Sequence, residues 1–90
     1  MKIKEKEFEG ILQELKAVAD QLGASVRYEK GDFKGGYCIV HDKKVIVINK
    51  LTNLQRKVMI LSTALKELGI DSIYITPKIR AVIDEMAGIT

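Results

Sequence analysis

The sequence predicts an α+β domain: a small three-stranded antiparallel sheet packed by two long helices, with a further helix at the C-terminal end. Three observations predict it. Apolar residues recur at helical spacing over two long segments, three short β-rich segments lie between them, and Pro77 opens a final helical stripe. The expected order is α-β-β-β-α, a short β segment, then α. Ninety residues suffice for one domain, spanning 1–90. With 47% hydrophobic residues and a single proline, the composition is that of a packed globule rather than a disordered chain.

The first helix follows from Phe8, Ile11, Leu12, Leu15, Val18, Ala19 and Leu22, which share one face at spacings of three and four. Glu5, Glu7 and Glu9 suit its positive end, and Gly23 is placed to stop it. Residues 24–29 alternate, with Val26 and Tyr28 on one side and Ser25, Arg27 and Glu29 on the other, as in a strand with one wet face. Tyr37 to His41 and Val45 to Asn49, separated by Asp42-Lys43-Lys44, read as a hairpin. Thr52-Asn53-Leu54-Gln55 fits a capping box, so a second long helix should begin near Thr52. Its seam is Leu51, Leu54, Val58, Leu61, Leu65 and Leu68, widened by Met59, Ile60 and Ala64, with Gly69 beyond the end. Ser72 to Ile75 offers a short extra strand. Thr76-Pro77 then starts a helix with Ile79, Val82, Ile83 and Met86 inward and Gly88 as its stop.

Both alternating sets of the last hairpin strand, Val45/Val47 and Ile46/Ile48, are apolar. That pattern places the strand centrally with cover on both faces. The first two helices supply one layer, and the terminal helix, expected to close an edge of the sheet, or a second subunit supplies the other. A homodimer is therefore expected, the more so because a chain this small buries little surface alone.

Charge is uneven. From Arg27 to Lys57 the chain carries eight bases and three acids, an excess of +5, whereas the whole chain carries +3. Such a zone either attracts phosphates or is simply solvated. A single cysteine allows no internal disulfide, which fits a reducing cytoplasm. The N-terminal Lys2-Ile3-Lys4-Glu5-Lys6-Glu7 is unlike a signal peptide, and the longest uncharged helical run, Val58 to Leu65, is too short to span a membrane.

Few residues point to chemistry. Cys38 and His41 stand three apart on a strand, so they face opposite ways and do not form a metal pair; a structural cysteine and a surface histidine are the simpler assignment. The loop around Lys34, Gly35 and Gly36 lacks the lysine and hydroxyl of a phosphate loop, yet its amides beside a cation are the parts of an anion nest. Tyr28, Phe33 and Tyr37 among Arg27, Lys30 and Lys34 make an aromatic-basic mixture that either stacks bases or caps the sheet.

The strand Val45-Ile46-Val47-Ile48-Asn49, followed by Arg56 and the helix Val58 to Leu65, resembles the ImmA/IrrE-like metallopeptidases. In that family a strand ending in Ile-Asn leads into the helix bearing the zinc motif His-Glu-x-x-His. The resemblance covers residues 45–68 and implies a zincin-like scaffold. It sets the two metal histidines at Thr63 and Glu67 and the catalytic glutamate at Ala64, so the zinc chemistry is not carried over. The chain also resembles short bacterial proteins with a Gly-Gly-x-Cys strand, here Gly35-Gly36-Tyr37-Cys38.

The expectation is thus a small cytoplasmic, non-catalytic interaction module without cofactor, working as a homodimer. The alternative is nucleic-acid or anion binding through Lys34, Gly35, Gly36, Lys43, Lys44, Lys50, Arg56 and Lys57.

Overall fold

The computed structural model describes residues 3–31 and 37–87, with the backbone alone for Tyr37 and His41. A turn of 3-10 helix at Glu5–Glu7 leads into α1 (Phe8–Gln21). Three strands follow, β1 (Ser25–Glu29), β2 (Tyr37–Val40) and β3 (Val45–Asn49), with a second 3-10 turn at His41–Lys43. Then come α2 (Leu54–Leu68) and α3 (Pro77–Met86). Gly88 lies outside the described residues.

The sheet is mixed, which corrects the expected antiparallel arrangement. Its order is β1-β3-β2. β3 is central as expected, antiparallel to β2 but parallel to β1, with Ser25 opposite Val45 and Glu29 opposite Asn49. β1 therefore ends, and β2 begins, at the same end of β3. Parallel neighbours need a long connection, and the fifteen residues from Lys30 to Lys44, which include β2, provide it. Asn49 fastens that connection at its start. Its Nδ2 donates to the Gly31 carbonyl at 2.9 Å, its Oδ1 accepts from the Leu51 amide at 3.0 Å, and the Lys50 amide donates to the Glu29 carbonyl at 3.1 Å.

α1 and α2 cover one face of the sheet. Leu15, Ile46, Ile48, Leu61 and Leu65 are fully enclosed between them. Gly23 makes the tight return from α1 to β1 with φ +76°, a conformation that a side chain would strain, and Gly69 caps α2 with φ +93°. α3 does not close a sheet edge or cover the second face. It lies beside α2 in the helical layer, tied by Lys66 Nζ to Asp84 Oδ1 at 3.4 Å and buried through Ile79, Val82 and Ile83. The thinnest dimension, 19 Å, is that of one helical layer on one sheet.

Three local expectations also change. Residues 72–75 form no strand: Ile75 is buried while Tyr74 is 76% exposed, and no ladder holds the segment. Asn53, not Thr52, caps α2, its Oδ1 accepting from the Arg56 amide at 2.8 Å. Leu51 therefore falls before the helix and is 73% exposed instead of joining the seam. Among the described residues, no helix is long and apolar enough to cross a membrane.

Candidate functional site

Strand alternation divides the sheet into two unlike faces. Val26, Tyr28, Ile39, Ile46 and Ile48 point toward the helices and join the core or pack against it. Among the described residues, no element lies over the other face. There the register sets Ser25, Val45 and Val40 in one row and Arg27, Val47 and Cys38 in the next. Ser25, Arg27, Cys38 and Val40 are exposed, while Val45 and Val47, flanked by strands on both sides, are half-buried. Arg27 and Glu29 pair along β1 at 3.1 Å, and because both are well solvated the bond contributes little. Cys38 is exposed rather than a packed structural cysteine.

Among the described residues the edge of β1 is open as well. The Ser25 amide donates to the Lys44 carbonyl and the Glu29 carbonyl accepts from the Lys50 amide, so the odd-numbered residues of β1 bond toward β3. The amides and carbonyls of Val26 and Tyr28 consequently point outward. Beside this edge runs a cleft of about 400 Å³ lined by Gln13, Lys16, Ala17, Asp20, Ala24 and Val26.

The basic residues singled out in the sequence do not form one track. Lys43 and Lys44 stand at the β2–β3 connection, where Lys44 takes φ 49° and its side chain passes over Gly23. Lys50, Arg56 and Lys57 are at the opposite end of β3, which at 3.3 Å per residue is roughly 13 Å long. Lys34, Gly35 and Gly36 lie outside the described residues, as does Phe33.

Tyr28 is not a free stacking platform. The Lys16 ammonium sits 4.7 Å and the Lys57 ammonium 4.9 Å from its ring centroid, and its hydroxyl is enclosed without a partner among the described residues. Sequence reasoning found Lys57 but missed Lys16, whose position on the flank of the α1 stripe was the available signal. Two further clefts of comparable size mark the ends of the helical layer. One, about 430 Å³, is lined at the helix beginnings by Ile3, Glu5, Phe8, Asn53, Leu54 and Gln55. The other, about 440 Å³, lies at the helix ends, where Lys44 meets Gln21, Leu68 and Ser72.

On α2, Ala64 is fully buried, the Thr63 hydroxyl donates to the Met59 carbonyl at 2.9 Å, and Glu67 is exposed. Among the described residues no group of three or more His, Cys, Asp or Glu side chains is arranged to hold a metal ion. Scans against protein-family models, curated proteins and solved structures found no match to this chain.

Proposed function

We propose that this chain is a non-catalytic interaction module of the cytoplasm that works as a homodimer through its sheet. One observation carries the reading: the central strand has the composition of a strand covered on both faces, yet helices cover only one. Ile46 and Ile48 are fully buried, whereas Val45 and Val47 are half-buried in the middle of rows that end in exposed Val40 and Cys38. β-branched residues are suited to the sheet on either face, but exposed Val40 and Cys38 beside half-buried Val45 and Val47, next to a strand edge without a neighbour among the described residues, make the sheet the part of the chain suited to association. An exposed thiol in a chain with a single cysteine suits a reducing compartment.

Kinship with the zincin-like scaffold belongs to the same proposal. Its support is that β3 ends in Ile48-Asn49 and runs through a short turn into α2. Thr63, Ala64 and Glu67 then occupy the places where metal ligands and base would stand, so the inherited part is the scaffold and not the reaction. The test is native mass spectrometry of untagged protein, combined with an activity screen on repurified material. A dimer without added mass is the expected result. Turnover that survives repurification and is abolished by a point substitution, or zinc bound one per chain, would overturn the proposal.

A further inference from the structure

We infer that two copies join edge to edge along β1, antiparallel, with Tyr28 opposite Tyr28 across the two-fold axis. The inference rests on the homodimeric reading above and specifies its interface. Three strands 4.8 Å apart and five residues long present a face of roughly 240 Å² in plan. Stable interfaces take about 800 Å² from each partner, which neither this face nor a five-residue edge supplies by itself, so area does not favour stacked faces. Edge pairing draws instead on main-chain hydrogen bonds, and it merges the two open faces into one continuous six-stranded surface.

The edge is suited to this. Among the described residues, the outward amides and carbonyls of Val26 and Tyr28 have no strand beyond them, and no described element fills the cleft beside them. β1 carries neither proline nor an inward-pointing charge to discourage pairing.

Charge then selects the register. Because the outward groups belong to even-numbered residues, antiparallel pairing must set even residues opposite even ones. Centring on Arg27 would place Arg27 against Arg27, and the register with Glu29 against Glu29 opposes like charges in the same way. Centring on Val26 leaves Glu29 without a counterpart. Centring on Tyr28 sets Arg27 of each copy opposite Glu29 of the other, twice over by symmetry. The intrachain Arg27–Glu29 pair is exposed and weak enough to be exchanged for these cross-strand pairs.

Two measurements test the proposal. The first is sedimentation of R27E, E29R and the double swap R27E/E29R; both residues are exposed, so circular dichroism should stay native. Each single reversal creates two like-charge pairs and should raise the dimer dissociation constant on the order of tenfold, and the double swap should restore it. The second is double electron–electron resonance between nitroxides on Cys38, the single cysteine. Five strand spacings plus the offset along the strands put the two Cys38 positions roughly 25 Å apart, against about 10 Å for stacked sheets. A wild-type dimer that ignores all three variants, or gives the short distance, overturns the edge interface while leaving the homodimeric reading intact. Single reversals that weaken the dimer without rescue by the double swap overturn the register. A wild type that is monomeric at micromolar concentration removes both the interface and the homodimer.

Discussion

Replacing Ile48 and Val47 one at a time by alanine measures how one-sided the sheet is. Ile48 is fully enclosed between sheet and helices, and its truncation removes three carbons. At about 0.8 kcal/mol each this is ~2.4 kcal/mol of lost transfer energy. The unfilled space raises the total to about 3–4 kcal/mol. Val47 loses two carbons from a half-buried position on the open face, so about half of the ~1.6 kcal/mol transfer energy is at stake. No cavity is created there because the neighbouring space is solvent. The expected costs are thus about 3–4 and ~0.8 kcal/mol for adjacent residues of one strand. Urea unfolding followed by circular dichroism reads both from the midpoint at constant slope. A domain of this size holds roughly 5–10 kcal/mol, so both variants stay folded. Edge pairing leaves Val47 open, and the difference should not change with protein concentration. Equal costs at the two positions would refute the one-sided packing.

Other positions give independent checks. Asn49→Ala breaks the tie to the Gly31 carbonyl and should cost about 1–3 kcal/mol in urea; Asn49→Asp, which keeps the acceptor for Leu51 but loses the donor, should cost a comparable amount. Asn53→Ala should cost ~1 kcal/mol, whereas Thr52→Ala should cost almost nothing, and the reverse order would show that the cap is misassigned. Ser62 is fully buried on α2 with its hydroxyl unpartnered among the described residues, so Ser62→Ala should raise the unfolding free energy by about 1 kcal/mol, seen as a higher urea midpoint at constant slope. Tyr28→Phe should likewise leave stability unchanged or slightly higher, since the hydroxyl has no partner among the described residues and the lysine contacts to the ring persist.

The helices and strands were largely legible in the sequence, because each bears one strong period. α1 occupies Phe8–Gln21 as its stripe requires, and Pro77 opens α3. Alternation also placed Val26 and Tyr28 inward on β1. What alternation does not encode is the neighbour. A five-residue strand with one wet face looks the same beside β2 or beside β3, so the parallel pairing rests on long-range packing and on the Asn49 tie, which involves residues eighteen apart. Ser72 to Ile75 reads as a strand because Ile73, Tyr74 and Ile75 are good strand formers, yet the segment has no ladder partner among the described residues. Leu51 fits the heptad spacing of α2, but Asn53 caps more effectively than Thr52 and the helix begins at Leu54, three residues beyond Leu51.

The site was less legible for a related reason. Residues close in sequence, Lys43/Lys44 and Lys50/Arg56/Lys57, are separated by the length of β3, while Lys16, forty-one residues away from Lys57, shares a ring with it. The open face was half visible: the apolar doubling of Val45-Ile46-Val47-Ile48 demanded cover on two sides, and the folded chain supplies it on one. The Arg27–Glu29 alternation on β1 becomes informative only once β1 is known to be an edge.

The most direct measurement is the solution mass of the unmodified chain at micromolar concentration, by native mass spectrometry supported by sedimentation equilibrium. The account predicts the mass of two chains with nothing added; the mass of one chain across that range would contradict it.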